Sequence, residues 1–168
     1  MTIIVKVGDV LDEQTDVLTC SANPWLNLSG GVNGAILLRG GQSIQDELKR
    51  YLKTNGRPAV EPGTVVRSGP GPLAVKHILH AVAIDPFYGS SVSLVQKTIE
   101  SALGIAQSLG ARTVAMPMLA TGYGPLTAQQ FATALSPIAR HDWPPIEQLI
   151  VVVRRDEDAE VVRSAVAN

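Results

Sequence analysis

The sequence predicts an α/β protein with a largely parallel or mixed sheet covered on both faces by helices. Three observations carry that prediction. Short apolar, β-branched runs alternate with amphipathic helical patterns along the chain, the run "RTVAMPML" has the continuous apolar content of a buried strand, and glycine-bearing segments lead from strands into helices. With 168 residues, 45% of them hydrophobic and 17% charged, and no break in composition, the chain is expected to form one domain, residues 1–168.

The first two runs, "TIIVKV" (2–7) and "DVLTCSA" (16–22), read as strands joined by the turn-like "GDVLDEQT". A helix is expected from Gly34 onward, through Ile36, Leu37 and Leu38 and on through "SIQDELKRYLKTNG". Ile44, Leu48, Tyr51 and Leu52 fall at helical spacing there, and Gly56 is a stop. "PGTVVRSG" and "VKHILHAVAID" supply two further strands around the turn segment "PGPL". Residues 93–110 form an amphipathic helix ending at Gly110, and "RTVAMPML" is a buried strand. Thr127 and Gln130 make a capping-box pattern at the head of "AQQFATALSPIAR". The last strand is "IEQLIVVV" and the last helix "DEDAEVVRSAVA".

Charge and cysteine content narrow the function classes. The net charge of −1 argues against a basic surface for indiscriminate nucleic-acid binding, leaving only a local patch open. The single cysteine, Cys20, lies in an apolar run, which excludes an intrachain disulfide framework and fits a small buried hydrophobe in a reducing compartment. The N-terminus lacks the h-region of a signal peptide, and no apolar stretch has the length to span a bilayer. A cytoplasmic protein without membrane partners is therefore expected.

Two glycine-bearing loops occupy equivalent places, "NPWLNLSGGVNG" after the strand ending near Ala22 and "ATGYGPL" after the strand ending near Leu119. In open α/β sheets ligands collect outside the carboxyl ends of strands, so both loops are expected to face one crevice. Neither a P-loop nor a dinucleotide-binding glycine fingerprint is present. Backbone amides at glycines and helix N-termini nonetheless suit a phosphate-bearing ligand.

Taken in order, "GDV", "DVLTCSAN", "GGVNGAI", "PGTVV", "KHILHAVAID" and "PMLATGYGPLTAQQFATAL" resemble the macrodomain family over nearly the whole chain. The resemblance implies a three-layer α/β/α sandwich with a mixed, mainly parallel central sheet, and ADP-ribose as the ligand with no required cofactor. It assigns Asp9 and the Val10 backbone to adenine and Asn23 to the distal ribose. Gly30, Gly31 and Val32 match the first diphosphate loop, and Thr121, Gly122, Tyr123 and Gly124 the second. The residue types suit these roles: a carboxylate accepts from an exocyclic amine, and an amide both donates to and accepts from ribose hydroxyls.

Four departures from the family pattern matter. Cys20 stands where the first Asn of N-A-A-N would be, and the second loop is one residue shorter than the S-T-G-I-Y-G form. Arg154 occupies the place of an aromatic over adenine, where it either stacks its guanidinium or is a solvated charge. Asn33 follows "GGV" where hydrolytic macrodomains typically carry Asp. An amide orients water or ribose but is no general base, so Asn23 and Asn33 are the candidate residues for any chemistry at the distal ribose.

These readings predict binding of ADP-ribose, or of an ADP-ribosyl group on a protein, with at most weak hydrolysis. The alternative is an active hydrolase of ADP-ribosyl protein, O-acetyl-ADP-ribose or an ADP-ribose phosphate ester, with water activated by the substrate itself. Recognition of adenine-rich or ADP-ribosylated nucleic acid is a weaker reading because of the charge balance. His77 and His80, three apart on a strand, point to opposite faces and suit hydrogen bonding better than a shared metal, and His141 is isolated. "QDE" at 45–47 is expected to be an exposed helix face. Phe87 and Tyr88 either close over the ligand or pack.

Overall fold

The structure, a computed structural model, describes residues 1–167. The elements run β1 (Thr2–Val7), a 3₁₀ turn (Val10–Asp12), β2 (Val17–Ser21), α1 (Gly31–Gly40), α2 (Gln42–Thr54), β3 (Val65–Ser68) and β4 (His77–Ala81). They continue with α3 (Val92–Ser108), β5 (Thr113–Pro117), α4 (Ala128–Ala139), β6 (Gln148–Val153) and α5 (Asp156–Val166). Among the described residues, six strands form one sheet in the order β1-β6-β5-β2-β4-β3. Every neighbouring pair is parallel except β3 with β4, which pair antiparallel with Val65 opposite Ala81 and Ser68 opposite Ile78.

Strand alternation decides the layers. Val17, Leu79, Val114, Met116, Leu149 and Val151 point to one face and pack with α3, α4 and α5, whereas Leu18, Cys20, Ile78, Ala115, Ile150 and Val152 point to the other and pack with α1 and α2. The result is the expected three-layer α/β/α sandwich. Phe131 of α4 is fully buried in the first layer, and truncating it to Ala would cost about 3–5 kcal/mol.

Asp16 fastens the amino-terminal end of the sheet. Its carboxylate accepts from the Arg112 and Thr113 amides (2.8 and 3.1 Å) and pairs with Lys76 (2.7 Å), joining the starts of β2, β4 and β5. The Lys76 hydrogen bond, with the two amides, holds its pKa at about 2. The capping box at α4 forms as the sequence predicts, and Ser91 caps α3 by accepting from the Leu94 amide.

Two expectations are corrected. The helix predicted from Gly34 begins at Gly31 and breaks at Gly41 (φ 89°), so two helices stand where one was expected. Gln45, expected on an exposed face, is buried: its side chain donates to Leu26 O (3.0 Å) and accepts from Leu28 N (2.7 Å), satisfying the backbone of the loop that leads to α1. Glu47 of the same tripeptide accepts from the Gly69 amide at 2.8 Å. The period of α2 places Gln45 beside Ile44 on the inward side, and the loop's unpaired amide and carbonyl make a glutamine there worth burying.

Candidate functional site

At the carboxyl ends of β2, β5 and β6 the chain opens a cleft of about 970 Å³. Both glycine-bearing loops line it. The first enters α1 through Gly30 (φ 66°) and Gly31 (φ 51°), a left-handed backbone that turns the chain so that α1 starts at the cleft. No side chain caps this helix, so the amides of its first turn, which have no partner inside the helix, remain available to a ligand.

The second loop is shaped by backbone contacts. Leu126 N donates to Ala120 O (3.0 Å), Ala120 takes φ 60°, and a Cβ on Gly124 would run into the Ala120 backbone. Thr121 Oγ1 donates to Met118 O at 3.0 Å. This framework projects Tyr123, 70% exposed, across the cleft until its phenol lies over Gly30, with the ring edge 3.4 Å from where a Gly31 Cβ would be. Tyr123 thus bridges the two loops, while Gly122 and Gly124 line the cleft beside it.

Asn23 lines the same cleft, but both ends of its amide are engaged: Nδ2 donates to Asn27 O (2.9 Å) and Oδ1 accepts from Asn27 N (3.1 Å). One N–H and one lone pair are left for a ligand. Asn33, in the first turn of α1, also lines the cleft, and its Oδ1 is buried without a hydrogen-bond partner among the described residues. A buried amide oxygen without a donor, on a residue that lines a ligand cleft, is an acceptor held in reserve.

Asp9 is not itself among the residues lining the cleft, but its neighbours Gly8 and Val10 are. Its Oδ1 accepts from Leu11 N at 3.0 Å and so caps the 3₁₀ turn. Arg39 and Arg154 each lie 3.7 Å from its carboxylate, so Arg154 reaches the cleft edge in partnership with Asp9. Val32 packs against the α1–α2 core and also lines the cleft.

The structure adds cleft residues that the sequence reading missed, notably Met118, Arg155 and Asp158. Arg155 donates to both oxygens of the buried Asp158 (2.9 and 3.0 Å), fixing the start of α5 at the cleft wall. The signal was "VVVRRDED", a third strand-to-helix junction at the same sheet end. Tyr88, in a loop held by Asp85 accepting from the Phe87 and Gly89 amides (2.8 Å each), lines the cleft, whereas Phe87 is 93% exposed.

Cys20 and His80 lie beneath, on the α1–α2 face of the sheet. The His80 ring spans Cys20 Sγ (3.5 Å) and Ser68 Oγ (2.8 Å). Burial pushes the thiol up to about 12 and the imidazole down to about 4, so both are neutral. His77 lies outside this network, and His141 Nδ1 is 3.0 Å from Pro137 O. No group of His, Cys, Asp and Glu suited to a metal occurs among the described residues. No helix there is long and apolar enough to cross a membrane.

The sheet order, the layers and a cleft walled by two glycine loops and an open helix N-terminus define an α/β protein of the macrodomain class. The Macro domain family model matches residues 20–135, and the chain belongs to that family. It is 32% identical over 145 residues to an uncharacterized protein of Pyrobaculum aerophilum, covering 82% of this chain and 76% of that one. It is 29% identical over 164 residues to a macro domain-containing protein of Caldanaerobacter subterraneus, covering 94% and 91%. Among solved structures, a variant of the Oceanobacillus iheyensis macrodomain with ADPR superposes with a TM-score of 0.86 at 22% identity, over 97% of this chain and 90% of that one. The Trypanosoma brucei macrodomain in complex with ADP-ribose gives 0.82 at 21%, over 98% and 68%.

Proposed function

We propose that this chain binds ADP-ribose, free or as the ADP-ribosyl group of a modified protein, in the cleft between its two glycine loops. The observation that carries the reading is the convergence of an uncapped α1 N-terminus and the second loop on one cleft of about 970 Å³, bridged by Tyr123. A diphosphate there receives amides from Gly31, Val32 and Asn33 on one side and from the 121–124 loop on the other. Adenine lies toward Asp9, Val10 and Arg154, and the distal ribose toward Asn23 and Asn33. ADP-ribose-bound relatives of the same fold support this choice of ligand. The buried Cys20 thiol suits a cytoplasmic setting.

Turnover at the distal ribose is weak in this reading, because Asn33 replaces a carboxylate and cannot take a proton from water. One observation favours the hydrolytic alternative: Asn33 lines the cleft and its buried Oδ1 has no hydrogen-bond partner among the described residues, so the side chain keeps an acceptor for a water or a ribose hydroxyl, holding it for a base supplied by the substrate phosphate. Calorimetric titration with ADP-ribose, followed by single-turnover incubation with an ADP-ribosylated protein, tests both. Saturable binding with slow release of ADP-ribose is expected, whereas no heat at high ligand concentration would overturn the proposal.

A further inference from the structure

The net charge of −1 conceals a segregation along the chain. Between Lys49 and His77 stand six Lys or Arg residues and one acid, Glu61, whereas the rest of the chain holds eight basic and fourteen acidic residues. These cations come from the second half of α2, from the loop that follows it, from β3 and from the residue just before β4. The fold gathers three of them around a second groove, of about 560 Å³, at the amino-terminal end of β4 and so at the opposite end of the sheet from the cleft.

Arg50, Tyr51, Arg67, Lys76 and His77 line this groove, with Glu47 the one acid among its lining residues. Glu47 is engaged by the Gly69 amide, and Lys76 is paired with Asp16. The guanidinium groups of Arg50 and Arg67 have neither a hydrogen bond nor an ion pair among the described residues. Tyr51, 37% exposed, lines the groove with them. A cation on the edge strand β3 guards against strand pairing, which accounts for Arg67 alone. It does not account for an unpaired arginine and an open aromatic on the helix across the groove.

Two free guanidiniums suit phosphate oxygens, and an exposed aromatic lining the same groove suits the face of an unpaired base. We propose that this groove binds single-stranded nucleic acid, with Arg50 and Arg67 on the phosphodiester backbone and Tyr51 stacked on a base. The local charge, not the net charge, sets the attraction. The ADP-ribose cleft takes no part, so the two sites are occupied independently.

The test is fluorescence anisotropy of a labelled mixed-sequence oligonucleotide of about 12 nucleotides, as DNA and as RNA. Two neutralised phosphates predict a log–log salt slope of about −1.4, hence about sevenfold weaker binding between roughly 50 and 200 mM salt. Arg50→Ala/Arg67→Ala should flatten that slope toward zero, with ADP-ribose titration and the thermal melt unchanged. Tyr51→Ala should weaken binding several-fold with the slope preserved, and excess ADP-ribose should displace nothing. The proposal is overturned by an absence of binding at low salt, by a double variant that binds as the parent does, or by displacement with ADP-ribose, which would place the oligonucleotide in the cleft. It is equally overturned if Tyr51→Ala binds unchanged while inorganic polyphosphate competes fully, because the groove would then be an ion exchanger.

Discussion

Placing a carboxylate at Gly31 tests where the diphosphate lies. Gly31 opens α1 at φ 51°, and a Cβ there meets only the Tyr123 ring edge, at 3.4 Å, so the side chain has room to enter the cleft. Any non-glycine residue in this left-handed backbone costs about 1–2 kcal/mol of stability, and Gly31→Glu and Gly31→Gln share that cost. They differ in charge. A carboxylate about 5 Å from one phosphate charge, at an effective dielectric of about 20, is repelled by roughly 3 kcal/mol. That corresponds to a loss of affinity of about two orders of magnitude.

Calorimetric titration of ADP-ribose into both variants, with thermal melts alongside, separates the contributions. Equal melting points, a modest loss for the glutamine variant and a further hundredfold loss for the glutamate variant are expected. The additional loss should shrink as salt rises, because an open cleft is screened. If the two variants bind alike, no phosphate lies near the α1 N-terminus and the placement of the ligand is wrong.

Three further outcomes are expected. Asp9→Ala should weaken ADP-ribose binding by about 1–3 kcal/mol and reduce its preference over the hypoxanthine analogue; unchanged discrimination in competition titrations would show that adenine is read elsewhere. Asn33→Asp should raise the rate of release from an ADP-ribosyl-carboxylate ester by up to about 10²–10⁴-fold with affinity little changed. A parent already fast, with the variant no faster, would favour water activation by the substrate. His80 is buried with its pKa lowered to about 4 from 6.5, so the unfolded chain binds more protons between those values. Stability should therefore be complete above about pH 6.5 and fall toward pH 4, with Asp16 adding a further loss between about pH 4 and 2; denaturant midpoints across this range that are flat for the parent, or equally sloped for His80→Asn, would contradict it.

What the sequence determined by itself was whatever depends on neighbours close along the chain. Strand alternation, the Thr127–Gln130 capping box and the glycine-bearing turns after β2 and β5 are local patterns, and they carried the fold class, the element order and the two loops that wall the cleft. Tertiary structure decided the rest. The break at Gly41 depends on how α1 and α2 dock on one face of the sheet, and Gln45 is buried because a loop seventeen to nineteen residues away needs its amide. Tyr123 lies over Gly30, and Arg155 and Asp158 join the cleft, because parallel strands deliver residues distant in sequence to one sheet end. The same holds for charge: composition fixes a net value near zero, but only the pairing of β3 with β4 beside α2 gathers Arg50, Arg67 and Lys76 at one groove, since electrostatic attraction depends on distance in space and not on distance along the chain.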